Sequence, residues 1–198
     1  MQPEQAFTAL RGTILELAGP PPEILWTEFC VGMRVRSFDK SEFFAKAGTN
    51  PGTVAFVASG LFRMFYLRSD GRELNKSFVT SHDFIGCFEA LLSGDENQLF
   101  IECLIPAVLL EFDYSFAASL YDDHMYWQRF GRLLAERLYV KKARREAGLL
   151  MDNALERYES FLAEYAKLEE RIPDYHIASY LGITPEALSR LKKTRRRS

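Results

Sequence analysis

The segment from Arg171 to Lys193, RIPDYHIASYLGITPEALSRLKK, holds the side chains with the clearest recognition chemistry. Arg190 can donate both arms of its guanidinium to guanine O6 and N7. Glu186 can accept from the cytosine amino group, and Thr184 and Ser189 can bind a base or a phosphate. Lys192 and the run Arg195 to Arg197 suit phosphate, since a cation there displaces condensed counterions whatever the base sequence. The spacing that would present these groups together is that of a helix-turn-helix. Pro173 starts a first helix with Ile177, Ala178 and Leu181 turned inward, and Gly182 allows a left-handed turn. Thr184 caps the second helix, and Pro185 takes its first position, where no N–H is required. Leu188 and Leu191 tether that helix, leaving Glu186, Ser189, Arg190 and Lys193 free to face a groove.

Charge supports the same end of the chain. The total is -2, yet from Arg171 to Ser198 seven basic residues face only Asp174 and Glu186, so a mildly acidic body carries a basic end suited to a polyanion. The plain alternatives are a solvated tail and an ordinary helical hairpin with a basic rim. Other reactive side chains form no constellation. Cys30, Cys87 and Cys103 lie far apart with no C-x-x-C pair, which points to a reduced, cytoplasmic setting. Of His82, His124 and His176 only the first falls in the β-rich region, so the clustered ligands of a metal-dependent β-barrel enzyme are not expected. With no nucleophile elbow and no phosphate loop, the expectation is a protein that is not an enzyme.

The length of 198 residues allows one large domain or two small ones, and 47% hydrophobic with 26% charged residues is the mixture of a folding chain. The sequence shows no apolar run long enough to span a bilayer and no signal-peptide pattern, so neither membrane insertion nor export is expected. Gln5 to Ala18 reads as a short helix ended by a rigid linker at Pro20, Pro21 and Pro22. From Val31 to Asp113, short runs rich in Val, Phe, Ile and Leu are separated by Asp39-Lys40, Asn50-Pro51-Gly52, Ser59-Gly60, Asp70-Gly71 and Ser93 to Glu96, which predicts six to eight strands in a sandwich or barrel. The strongest hairpin is LFRMFYLRSDGRELNKSFV, with Asp70-Gly71 supplying the positive φ angles of a tight turn. Beyond Asp113, Trp127, Phe130, Leu134 and Leu138 recur at helical spacing. They predict a long helix from about Asp123 to Glu146 whose stripe serves a dimer interface as well as the chain's own core. Gly148 marks a break before a second helix, from about Met151 to Leu168, with Leu155, Tyr158, Phe161, Leu162 and Tyr165 on one face.

This order of segments resembles the Crp/Fnr family of bacterial transcription regulators, the last segment being similar to Bacteroidetes-type members. The resemblance is carried by AGTNPGTVAFVASGLFRMFYLRSDGREL, DFIGCFEALLSG, YWQRFGRLLAERL and RIPDYHIASYLGITPEALSRLKK, and covers the chain from Val31 onward. It implies an α+β fold: an N-terminal double-stranded β-helix, a jelly-roll of the cyclic-nucleotide-binding kind, over residues 1–122, a long dimerisation helix over 123–147, and a small helical helix-turn-helix domain over 148–198. It further implies a homodimer on two-fold double-stranded DNA, with RNA polymerase and a small-molecule effector as further partners. The family's base-reading positions fall on Pro185, Glu186 and Arg190, and Pro185 replaces a common arginine, so one base contact is expected to be missing. The sequence also stops soon after this helix, leaving little room for the β-wing of many members.

The sensor residues depart further from the family. The phosphate-binding cassette falls on Gly86, Cys87, Phe88, Asn97 and Gln98. The family's ribose-binding glutamate is replaced by Cys87, and its phosphate-binding arginine and hydroxyl by Asn97 and Gln98. The pair on the long helix that would meet the base falls on Lys141 and Lys142. A buried cyclic phosphate needs a cation, which Asn97 and Gln98 do not supply, so cyclic AMP is not expected as a ligand. An iron–sulfur cluster is not expected with three dispersed cysteines. Cys87 reads as a small buried hydrophobe rather than a redox centre. Haem on His82 or His124 is disfavoured against surface or hydrogen-bonded roles for both. The rival from another class is a ligand-sensing or protein-interaction module whose helix-turn-helix no longer engages DNA.

Overall fold

The computed structural model describes residues 1–49 and 52–195, so the predicted turn at Asn50-Pro51 and the arginines at 196 and 197 lie outside the described residues. The chain divides into two compact units. One comprises residues 1–65 and 78–137, the other residues 66–77 and 138–198.

The first unit begins with α1 (Pro3–Ala18), whose Ala6, Leu10, Ile14 and Ala18 recur every fourth residue and are buried. After the proline linker comes α2 (Glu23–Val31), a second helix where the sequence shows little beyond the linker. Its Trp26 and Phe29 join the same core. Six strands follow: β1 (Arg34–Phe38), β2 (Phe43–Ala45), β3 (Thr53–Leu67), β4 (Glu73–Thr80), β5 (Phe84–Gly86) and β6 (Phe100–Asp113). They form an antiparallel sheet in the order β1-β6-β3-β4, with β2 also on β6 and β5 also on β3. Among the described residues the expected six to eight short strands are six, and β3 runs straight through Ser59-Gly60, where a turn was anticipated. The pairing of β3 with β6 shifts register between Val57 and Phe62, and Gly60 sits in that stretch at φ +110. A Cβ there would lie 2.3 Å from the Ala107 Cβ, so the two strands approach closely only because Gly60 has none.

Along β3, Val54, Phe56 and Ala58 join the helix-covered core, while Ala55 and Val57 are equally buried on the other face. Phe62 meets Phe38 edge-on at 5.6 Å, and Phe65 stacks on Phe100 at 5.1 Å. Arg63, 5% exposed, lies over the Phe65 ring and donates from Nε to Glu102 at 2.6 Å, so this buried charge is neutralised. Helices α3 (Phe88–Ser93) and α4 (Tyr114–Asp123) follow β5 and β6.

The long helix α5 (Met125–Met151) extends five residues past the predicted end, and Gly148 does not break it. The break falls at Asp152-Asn153, where the Asn153 carboxamide oxygen accepts from the N–H groups of Leu155 and Glu156 and the Glu156 carboxylate accepts from the Asn153 N–H at 2.7 Å. That reciprocal cap, written as Asn153-x-x-Glu156, starts α6 (Ala154–Tyr165). Asn153→Ala lowers the stability of the second unit by about 1 kcal/mol, read as faster hydrogen exchange in α6 without change in the first unit. A 3-10 turn (Ala166–Arg171) ends α6 earlier than the predicted Leu168. Tyr158, Phe161, Leu162 and Tyr165 are buried as anticipated, whereas Leu155 is 38% exposed.

The expected tight turn at Asp70-Gly71 is a three-residue loop. Arg68 N–H donates to Arg72 C=O at 2.9 Å, Gly71 alone takes positive φ, and the Asp70 carboxylate accepts from Arg72 N–H. This hairpin tip belongs to the second unit.

Candidate nucleic-acid interface

The second unit closes with α7 (Asp174–Leu181) and α8 (Pro185–Arg195). Pro173 caps α7, and Ile177, Ala178 and Leu181 are buried as the sequence required. Gly182 is left-handed at φ +68. Its N–H returns to Ser179 C=O and that of Ile183 to Ala178 C=O, a Schellman-type stop that turns the chain within two residues. Thr184 then caps α8, its hydroxyl accepting from Ala187 N–H at 3.2 Å, with Pro185 in the first turn.

Leu188 is fully buried and anchors α8. The opposite face presents Thr184, Pro185, Glu186, Ser189, Arg190 and Lys193, all exposed. The Glu186 carboxyl is held below its usual pKa by its own backbone N–H and by the Thr184 hydroxyl, with the Arg190 charge adding to the effect. It is therefore an ionised acceptor at neutral pH. Lys192 does not share this face in the expected way. Its ammonium lies 2.6 Å from Asp174 and 3.2 Å from Glu169, and these two carboxylates raise its pKa against burial, so the charge assigned to phosphate is engaged inside the unit. Glu169 also accepts from the Tyr158 hydroxyl at 2.5 Å, which joins α6, the 3-10 turn and α8 in one polar network.

The hairpin tip holds α7. Ser179 Oγ accepts from Asn75 N–H and donates to Glu73 C=O, both at 3.0 Å. Asn75 Nδ2 donates to His176 C=O at 3.0 Å, and Arg145 on α5 donates to Tyr180 C=O at 2.8 Å and to Asn75 C=O at 3.3 Å. No local sequence signal marks these partners, which are 35 to 106 residues apart.

The cassette-equivalent residues do not form a cationic cradle. Cys87 is buried at the start of α3, and Gly86 abuts Val54, where a Cβ would come within 2.8 Å of a methyl group. Phe88 packs on the helix-covered core. The Asn97 carboxamide is spent on backbone: it donates to Lys46 C=O and Leu99 C=O and accepts from Leu99 N–H, all within 2.9 Å. Gln98 is exposed. Lys141 and Lys142 belong to the second unit, where Lys141 pairs with Glu164 at 2.7 Å. The stripe assigned to a dimer interface is likewise divided. Trp127 and Phe130 are 1% and 4% exposed inside their own chain's core, and Leu134 and Leu138 are half-buried. Among the described residues, no three His, Cys, Asp or Glu side chains converge as a metal site, and no helix is long and apolar enough to cross a membrane.

No protein-family model and no curated protein matches the sequence. Solved structures do. The c-di-GMP responsive global regulator CLP of Xanthomonas campestris aligns with TM-score 0.67 and 20% identity, over 86% of this chain and 89% of that one. FixK2 from Bradyrhizobium japonicum aligns with TM-score 0.71 and 23% identity, over 82% and 83%. A Eubacterium rectale protein assigned to the Crp/Fnr family aligns with TM-score 0.68 and 16% identity, over 88% and 83%. The chain has the fold of Crp/Fnr-type transcription regulators: a cyclic-nucleotide-binding-like jelly-roll with a C-terminal helical unit.

Proposed function

We propose that this protein is a homodimeric, sequence-specific DNA-binding transcription regulator whose jelly-roll does not use cyclic AMP. The observation that carries the reading is α8: a capped helix anchored by Leu188 that turns Glu186, Ser189, Arg190 and Lys193 outward together. That is the donor, acceptor and cation set a major groove can accept. Self-association is supported by α5, whose 27 residues span about 40 Å. Beyond the core-facing Trp127 and Phe130, this helix leaves Tyr139, Val140, Leu150 and Met151 exposed, an apolar surface of the kind a partner helix covers. Two copies would place two α8 helices on half-sites one DNA turn apart.

The test is selection from a pool of random double-stranded DNA by the purified chain, followed by sequencing. A two-fold consensus with half-site centres about 10 base pairs apart is the expected result. Absence of enrichment at low salt, together with an affinity that does not fall with salt, overturns DNA binding. The jelly-roll part has its own measurement. Asn97 is committed to backbone and the buried Arg63 to Glu102, so neither offers a free charge to a cyclic phosphate at the cassette. Titration calorimetry with cyclic AMP is expected to show no saturable heat, and tight saturable binding contradicts this half of the reading.

A further inference from the structure

The last turn of an α-helix leaves carbonyl groups that the helix itself cannot pair. At the end of α7 two of them are met locally: Ala178 C=O accepts from Ile183 N–H at 3.0 Å, and Ser179 C=O from Gly182 N–H at 3.3 Å. The next two are met by arginines from other helices of the second unit. Tyr180 C=O accepts from Arg145 Nη2 on α5 at 2.8 Å, and Leu181 C=O from Arg157 Nε on α6 at 2.9 Å. Arg145 also lies over the Tyr180 ring, its guanidinium carbon 3.8 Å from the ring centre. Gly182 follows at once and α8 begins at Pro185, so whatever fixes the end of α7 also fixes the direction in which α8 leaves.

Arg157 ties that end to α6, and Arg145 ties it to α5. The place of Arg145 on α5 is informative. At about 100° per residue, the exposed Tyr139, Val140, Leu150 and Met151 form one stripe roughly 120° wide, and Arg145 falls about 180° from its centre. Lys141, paired with Glu164, and Leu149, which would lie 3.9 Å from a Cβ at Gly182, share the Arg145 side. One face of α5 is therefore open to a partner while the opposite face grips the turn that leads to α8.

We infer that Arg145 is a positioning residue for DNA recognition, coupling α8 to the self-association stripe of α5 and so setting the half-site spacing that the dimer accepts. This role rests on the dimeric DNA-binding reading above. Without the Arg145 donor, Gly182 lets α8 swing about the end of α7 at lower cost, and two such helices follow half-sites that are displaced or rotated. The effect has a ceiling. A charge-assisted bond biases an equilibrium by roughly ten- to a hundredfold, and a spacing preference cannot fall by more than the lost contact supplied.

The test uses duplexes carrying the selected consensus at its preferred spacing and with one base pair inserted, which moves a half-site by about 3.4 Å and turns it by about 34°. A third duplex has one half-site scrambled. Fluorescence anisotropy gives the affinity of each for the wild-type chain, Arg145→Met and Arg145→Lys. The ratio between the first two duplexes is the readout, because the loss of one positive charge cancels in it. Arg145→Met keeps the aliphatic stem and removes the donors; it is expected to lower the ratio about tenfold while affinity for the single half-site stays within about threefold. Arg145→Lys keeps one charged donor but not the flat stack on Tyr180, and its ratio falls between the two. A wild-type ratio retained in Arg145→Met overturns the role, as does a wild-type chain indifferent to spacing. If Arg145→Met loses the single half-site as well, its fold is damaged and Arg145→Lys decides: an unchanged ratio overturns the role, and a lowered ratio with half-site affinity intact supports it. A wild-type chain that selects no consensus overturns DNA binding itself, and the role with it.

Discussion

Arg190→Ala weakens binding to the preferred duplex by roughly 5- to 150-fold, about 1–3 kcal/mol, and weakens binding to unrelated DNA by only a few-fold. The asymmetry follows from geometry. Arg190 is exposed on the face of α8 that also carries Glu186 and Ser189, and the Leu188 anchor fixes how that face is presented. A planar guanidinium placed there can meet two acceptors on one guanine, which a phosphate-directed cation does not require. Arg195→Ala is the control. It lowers affinity for every duplex alike and reduces the slope of log affinity against log salt by about one. Lys192→Ala behaves differently again. It removes the cation between Asp174 and Glu169 and so acts on the second unit's packing before any effect on DNA. Fluorescence anisotropy with specific and scrambled duplexes at several salt concentrations separates the three. Equal loss on both duplexes from Arg190→Ala removes the base-reading role.

Gly60→Ala destabilises the first unit by about 3 kcal/mol. Two costs combine. A side chain at φ +110 costs on the order of 1–2 kcal/mol. A Cβ placed 2.3 Å from the Ala107 Cβ and 2.6 Å from its Cα forces two paired strands apart, at a further 1–3 kcal/mol or so. Urea unfolding followed by tryptophan fluorescence reads the effect directly, because Trp26 and Trp127 both lie in that unit. Adding Ala107→Gly removes the nearer clash and leaves the dihedral cost, so the double variant recovers part of the loss. A loss below 1 kcal/mol for Gly60→Ala alone shows that the close approach of β3 and β6 is not required.

The sequence by itself determined those features whose causes lie within a few residues. Gly182 between two apolar stripes, Thr184-Pro185 at a helix start and Leu188 one turn on dictate the helix-turn-helix, and the outward set at Glu186, Ser189 and Arg190 follows from the 3.6-residue period. The four-residue repeat of α1 and the Asp70-Gly71 hairpin were legible for the same reason. The end of α5 was legible too, in Asn153-x-x-Glu156, a cap stronger than the Gly148 signal.

Tertiary structure alone decided what depends on residues distant in the chain. The apolar spacing of Trp127, Phe130, Leu134 and Leu138 fits a partner helix and the chain's own core equally well. Only the arrival of Phe29 and Phe84 shows that Trp127 and Phe130 are buried within their own chain. Lys192 looked like a phosphate contact until the 3-10 turn and α7 brought Glu169 and Asp174 beside it. Asn97 carries no mark of its commitment to Lys46 and Leu99, nor Asn75 of its hold on His176. The Trp127 N–H, buried with no acceptor among the described residues, belongs to the same class. Hydrogen-bond satisfaction is a property of everything packed around a group, and sequence spacing specifies only which face of its own helix that group occupies.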